Sequence, residues 1–349
     1  MDKFIVLDAL RGAAAFSVIT RHASGFFSYH LHYSYLAVDL FFILSGFVIT
    51  HAYDKKLLTG ELTVKKFVIT RIIRLYPLYF VSVFLGAIAF FPWGKLVSGG
   101  ELDQSPYILS FLAALMFLPY KMPNDNSLYP LVGVCWSLFY EIIINVFYAY
   151  FCNRLNKITS SLIVLILGIS LLIVGLHSNS IDGGYSWGGA SVILGLLRSS
   201  YGFLLGMLIY RSKNFRYNIA RTFRFLFAVL PLIVLFSPKY RIDDVYIEII
   251  CLSIVFPLGI YFGSKLDVKS TKVSYYFGML GVISYPLYLF HAPLASIFIK
   301  VMRYVHIDMK NITIFSGVCL CLLLVAMAVT LDRVYDAPIR TWLRKLLIK

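Results

Sequence analysis

The first chemistry this sequence offers lies in ionisable side chains set inside strongly apolar stretches. Asp8, Arg11, Arg21 and His22 all fall within residues 5–26, a run otherwise apolar enough to begin a membrane helix. Charge is costly inside a membrane span, so such groups are functional candidates. Arg11 and His22 are eleven residues apart. In a helix that spacing is three turns plus about 20°, with a rise of about 16 Å. One face of one helix therefore carries a guanidinium near one end and a titratable imidazole about half a bilayer further on. Asp8 precedes Arg11 by three positions, the helical spacing for an ion pair.

Other polar residues sort by depth around this helix. Arg71 and Arg74 are three apart and share a face. With Arg11 they form a cationic cluster suited to a phosphorylated ligand, because the guanidinium fork grips phosphate oxygens in two-pronged fashion. The plainer reading, anchors that reach to lipid phosphates, stays open. His22, Asp39, Glu141, Arg198 and His291 read as a second layer toward the other membrane face. A buried imidazole beside a carboxylate is the equipment of a general base. This layer offers two histidines, His22 and His291, and two carboxylates, Asp39 and Glu141, for such a base. Each residue alone also suits a hydrogen bond between helices, and a transporter's proton relay would place similar residues.

The remaining signals are blander. Gly46, Gly202 and Gly206 suit close helix packing. Trp136 and Trp187 read as part of an interfacial aromatic belt or as a platform for a sugar ring. The sequence has no phosphate-binding glycine loop, His-Glu-x-x-His, Gly-x-Ser-x-Gly or Cys-x-x-Cys pattern. No metal site is expected. The five cysteines lie in or at the ends of apolar runs and read as packing residues.

The elements that must position these groups follow from composition. The 349 residues are 60% hydrophobic and 14% charged, with mean hydropathy +0.80. A soluble domain averages about 25% charged residues. The expected fold class is all-α: a polytopic membrane protein of about ten transmembrane helices, plus a short re-entrant or interfacial segment. Spans are read at 5–26, 36–53, 75–92, 134–152, 159–177, 191–210, 225–236, 246–263, 276–299 and 312–331. The net charge of +15 sits in short loops, where the positive-inside rule puts it, so nucleic-acid binding is not expected. The loop 54–74, the loop 211–224 and the tail after 331 are heavily basic. They share one side only if the short apolar piece 106–120 does not cross. Both termini are then cytoplasmic. The loop 300–311, with Lys300, Arg303 and Lys310 on the outer side, fits this topology least. No signal peptide, periodic repeat or domain boundary is evident.

The motifs now become recognisable. Arg11 and His22 are followed by Val38-Asp39-Leu40-Phe41-Phe42-Ile43-Leu44-Ser45-Gly46-Phe47 and Arg71-Ile72-Ile73-Arg74-Leu75-Tyr76-Pro77. Then come Trp136-Ser137-Leu138 through Glu141, Arg198 in a glycine-containing span, Ser284-Tyr285 through His291, and Tyr335-Asp336-Ala337-Pro338. In this order, over about 5–340, the chain resembles acyltransferase family 3, integral-membrane O-acyltransferases that modify bacterial surface glycans. Asp336 departs from the Glu usual in that family, and is not expected to touch the chemistry.

The resemblance implies a single membrane domain across 1–349 in the bacterial inner (plasma) membrane. It implies transfer of an acyl group, usually acetyl, from cytoplasmic acyl-CoA to a hydroxyl of a surface polysaccharide or its polyprenyl-linked precursor. The family's catalytic histidine falls on His22, and residues linked to donor binding or activity fall on Arg11, Arg71 and Arg74. Acyl-CoA is the donor substrate, and no bound cofactor is expected. A fused extracytoplasmic esterase-like domain, found in some members, is not expected here, so any completing periplasmic partner would be a separate protein. Arg198, His291 and Trp136 are further candidates for acceptor binding or oxyanion stabilisation. On this resemblance His22 is the expected general base, with Glu141 or Asp39 orienting its ring, and a covalent acyl-histidine is a variant of the mechanism. The main rival is a membrane transporter of a lipid-linked sugar or acyl group, against which the halves show no matching Gly/Pro-broken spans.

Overall fold

The computed structural model describes residues 4–23, 26–27, 31–93, 103–212, 219–240, 242–307 and 313–348. Lys213, Arg216, Lys310 and Lys349, counted above among the loop and tail cations, lie outside them. The described residues are helical, without a named strand. In chain order the helices are α1 (Ile5–His22), α2 (Ala37–Leu58), α3 (Val64–Phe90), α4 (Ser105–Leu115), α5 (Trp136–Phe151), α6 (Lys157–Ser178) and α7 (Ser191–Arg211). There follow α8 (Arg221–Leu235), α9 (Asp244–Gly263), α10 (Thr271–Tyr304), α11 (Thr313–Leu331) and α12 (Ala337–Leu347). A π turn at Cys251–Val255 interrupts α9, and another at Asp332–Asp336 joins α11 to α12.

Among the described residues, eight helices are long and apolar enough to cross a membrane. Two more run in the same bundle but miss that standard for visible reasons. α1 carries Asp8, Arg11 and Arg21, and α8 has only 15 residues. The relative directions of the helices agree with ten crossings. α1 and α10 run parallel, with Arg11 beside Ser284 and Phe26 beside Phe298. α2 and α7 run parallel, from Asp39–Arg198 at one end to Asp54–Arg211 at the other. α3 runs parallel to α10, with Leu75 accepting from Tyr285 and Ala89 from Ser296. It runs antiparallel to α5, with Arg71 at Glu141 and Gly86 at Leu131.

The last relation decides the short segment. An extra crossing between α3 and α5 would make them parallel. Instead α4, 11 residues and about 16 Å long, runs down along α3. Tyr107 packs on Phe91 and Phe111 on Phe84, and Tyr76 donates to the Leu115 carbonyl. The chain turns at Phe117, which adopts a left-handed φ of 58° and stacks on Tyr79. It then climbs back until Leu131 meets Gly86. The segment is re-entrant.

Glycines set the two closest seams. A Cβ on Gly206 would lie 1.9 Å from the Ile43 carbonyl oxygen, and one on Gly46 would lie 1.9 Å from that of Phe203. α2 and α7 therefore touch backbone to backbone, which brings Asp39 to Arg198. On the α1–α10 seam, Gly12 abuts the Leu280 backbone and Gly281 abuts Asp8.

Caps and cations cluster at the end where α3, α6 and α10 begin. Thr63, Asn156 and Ser270 each accept a first-turn backbone N–H there, satisfying a donor that the helix leaves orphaned. That end holds Lys55, Lys56, Lys65, Lys66, Arg71 and Arg74. Lys300, at the opposite end, has a local partner: its ammonium donates to Ala89, whose carbonyl is in the last turn of α3, where cations are favoured by the helix dipole.

Candidate active site

A cavity of about 200 Å³ opens between α1, α2, α3, α5 and α10. Arg11, Arg71 and Arg74 line it together with Ser45, Glu141, Ser284 and Tyr285, over apolar walls from Phe41, Leu44 and Leu138. The three arginines expected to form one cluster thus share one cavity. Each is tied to a carboxylate. Arg11 pairs with Asp8 at 3.1 Å and also donates to Ser284 Oγ and the Gly281 carbonyl. Arg71 donates to Glu141 Oε1 at 2.8 Å, an oxygen that also accepts from Ser45 Oγ. Arg74 lies 3.8 Å from Asp336, which Arg340 also approaches at 3.0 Å. Arg71 Nε is buried and has no hydrogen-bond partner among the described residues.

Asp336, not expected to touch the chemistry, lies outside the cavity lining but beside Arg74, one of its arginines. The π turn preceding α12 carries its carboxylate inward, where it is 1% exposed beside Arg74.

About three turns beyond Arg11, His22 is exposed at the end of α1. Its ring centroid lies 5.0 Å from that of His291, which is fully buried on α10. Tyr288 stands between this pair and the cavity. It lines the cavity, bonds Ser137 Oγ at 2.8 Å, and packs its ring 6.1 Å from His291. Next to His22, Arg21 pairs with Asp182 at 2.7 Å and lies over the Tyr35 ring.

The carboxylates expected to orient His22 are engaged elsewhere. Glu141 sits in the arginine cavity. Its depth differs from the sequence reading because the re-entrant segment fills the layer above α5, so that helix starts deep and its second turn reaches Arg71. Asp39 receives both Nε and Nη2 of Arg198, at 2.9 and 2.6 Å, and both side chains are 1% exposed. Arg198 gives its remaining terminal nitrogen to the Gly183 carbonyl. Trp136 lies beneath that guanidinium, 7% exposed, and packs against Tyr140 and Tyr185. It is not an open platform.

Sequence reasoning passed over Glu248, fully buried, which accepts from Tyr35, Ser180 and the Ile181 N–H. A lone carboxylate in an apolar run was the signal that marks it. Asp182 lies in a polar loop and gave no such signal.

A helical membrane bundle that encloses an arginine-lined cavity, with paired imidazoles beyond it, has the build of an integral-membrane enzyme. A family profile described as "Acyltransferase domain" matches residues 4–331, and the chain belongs to that family. "Protein 2 in picA locus" of Rhizobium radiobacter is 38% identical over 187 residues, covering 50% of this chain and 93% of that protein. "Exopolysaccharide production protein ExoZ" of Rhizobium meliloti (strain 1021) is 26% identical over 138 residues, 38% of each chain. No solved structure matches.

Proposed function

We propose that this protein is a membrane O-acyltransferase of the bacterial inner membrane. It moves an acyl group, acetyl in the simplest case, from cytoplasmic acyl-CoA to a hydroxyl of a surface polysaccharide or its lipid-linked precursor. The observation that carries the reading is the convergence of Arg11, Arg71 and Arg74 on one cavity, with a buried Arg71 Nε that has no partner among the described residues. CoA presents a phosphorylated nucleotide joined by a thin arm to its thioester. Guanidinium forks suit the phosphates, and the apolar walls suit the arm. The basic end faces the cytoplasm under the positive-inside rule, with both termini on that side. The printed name of ExoZ, a protein of exopolysaccharide production, supports a glycan acceptor.

In this reading the donor enters at the basic end and its thioester passes Tyr288 toward His22. His22 accepts the proton of the acceptor hydroxyl as its oxygen attacks the thioester carbonyl. Collapse of the tetrahedral intermediate breaks the carbon–sulfur bond and returns the proton to the CoA thiolate. The Asp39–Arg198 pair and Trp136 act at a distance, holding α2, α7 and the loop after α6 in place around the acceptor side.

The test compares the surface glycan of a strain lacking the protein with strains re-expressing wild type or His22→Ala. Base-labile O-acetyl signals in proton NMR should vanish on deletion, return with wild type and stay absent with the variant. Unchanged signals in all strains would overturn the glycan acceptor. Transfer from labelled acetyl-CoA by purified protein separates an enzyme from a transporter.

A further inference from the structure

We propose that His291, rather than a carboxylate, orients His22 and sets its reactivity; the inference rests on the reading of His22 as the general base. His291 is wholly buried. Its Nδ1 lies 3.2 Å from the Leu287 carbonyl oxygen. A carbonyl only accepts, so Nδ1 carries the hydrogen and Nε2 of the neutral ring carries a lone pair. That Nε2 has no hydrogen-bond partner among the described residues. A buried acceptor without a donor is unfavourable and calls for an explanation. The imidazole packed against the His291 ring is that of His22, at 5.0 Å between centroids and an interplanar angle of 49°. The terminal torsion of histidine is broad, and in the proposed pair the exposed His22 ring turns one of its N–H groups onto His291 Nε2.

Among the described residues, the other groups around His22 do not fill this role. Arg21, its chain neighbour, is a donor engaged with Asp182, and Asp182 is held by Arg21 and faces Arg198. Tyr288, packed on His291, directs its hydroxyl to Ser137 and the Val134 carbonyl. Glu141 and Asp39 are held by Arg71 and Arg198.

With its N–H fixed on His291, His22 presents the lone pair of its other ring nitrogen to the acceptor hydroxyl. That nitrogen takes the hydroxyl proton as the new carbon–oxygen bond forms. When the carbon–sulfur bond breaks, the proton passes to the CoA thiolate and His22 is restored. Throughout, the second His22 hydrogen stays on the His291 side and shares the positive charge that develops on the imidazolium. His291 is a positioning residue: it acts through His22.

The experiment uses the full chain in lipid nanodiscs, as wild type, His291→Leu and His291→Gln. Leu fills similar space and cannot accept a hydrogen bond, whereas the Gln amide oxygen can. Acetyl transfer should fall on the order of 10²-fold in kcat with Leu, be partly restored with Gln, and leave the KM for acetyl-CoA unchanged. Carbethoxylation of His22 by diethylpyrocarbonate, followed by peptide mass spectrometry, should slow with Leu and recover with Gln. This second readout requires no turnover. If wild type transfers no acyl group, the functional reading fails while His22 labelling still decides the pairing. Wild-type labelling in the Leu variant, or an equal loss in Leu and Gln, would overturn the proposal.

Discussion

Arg71, which lines the cavity, donates to Glu141 at 2.8 Å, while its buried Nε has no partner among the described residues. Glu141 thus engages Nη2 alone, and the remaining guanidinium donors are those assigned to a phosphate in the proposed donor site. Charge-assisted hydrogen bonds are worth about 1.5–3 kcal/mol. Arg71→Ala is expected to weaken acyl-CoA binding by roughly one to two orders of magnitude in Kd, read by isothermal titration calorimetry. Arg71→Lys should restore little, since a single ammonium lacks the separate, fixed nitrogens with which a guanidinium can hold Glu141 and an anion at once. Affinity unchanged in both variants would remove Arg71 from the donor site.

The Asp39–Arg198 pair predicts a loss of stability. Both side chains are 1% exposed and doubly bonded to one another. Removing one partner leaves an uncompensated buried charge, at a cost of about 3–5 kcal/mol. Asp39→Leu or Arg198→Met should therefore sharply lower the thermal midpoint in detergent. The double variant should recover part of the loss, since neither charge is stranded. A double variant as unstable as either single one would show that the two groups do not act as a pair.

How much of this was legible in the sequence depends on the range of the interaction. The bundle and the re-entrant piece were readable because they follow from the lengths of apolar runs and from which loops hold the cations. The Arg11–Asp8 pair was readable because it is local to one helix. The placement of Glu141 was not. Its depth depends on the segment 117–132 folding back over α5, which no local periodicity encodes. The partners of Asp39 and Asp336 were hidden for a related reason. Arg198 is 159 residues from Asp39, and Asp336 reaches Arg74 only because a π turn rotates it inward. The sequence marked which polar groups matter but not which of them meet.

The α2–α7 seam gives a prediction about packing alone. A Cβ on Gly206 would lie 1.9 Å from the Ile43 carbonyl oxygen, which is backbone and cannot swing aside. Gly206→Ala should force the helices apart and cost about 1–3 kcal/mol. The thermal midpoint would fall, and the Asp39–Arg198 geometry, one turn from Ile43 on α2 and about two turns from Gly206 on α7, would loosen with it. Gly278 has nothing within 4 Å of its would-be Cβ, so Gly278→Ala serves as the control and should not lower the midpoint. Equal behaviour of the two variants would count against close backbone contact at this seam.

His22 itself gives the sharpest division between donor binding and chemistry. It lies about 16 Å of helix rise beyond Arg11 and does not line the arginine cavity. His22→Ala should therefore leave acyl-CoA affinity within about twofold of wild type while transfer to the acceptor falls by 10²- to 10⁴-fold, the range for loss of a general base. Arg71→Ala should show the converse, with affinity lost and residual transfer recoverable at high donor concentration. Because His22 is exposed at the end of α1, its truncation removes little packing and should cost no more than its hydrogen bond to His291, so the variant stays folded and lost activity can be assigned to chemistry. If His22→Ala lost donor binding in step with activity, the cavity and the histidine pair would form one site, and the separation of donor and acceptor layers would not hold.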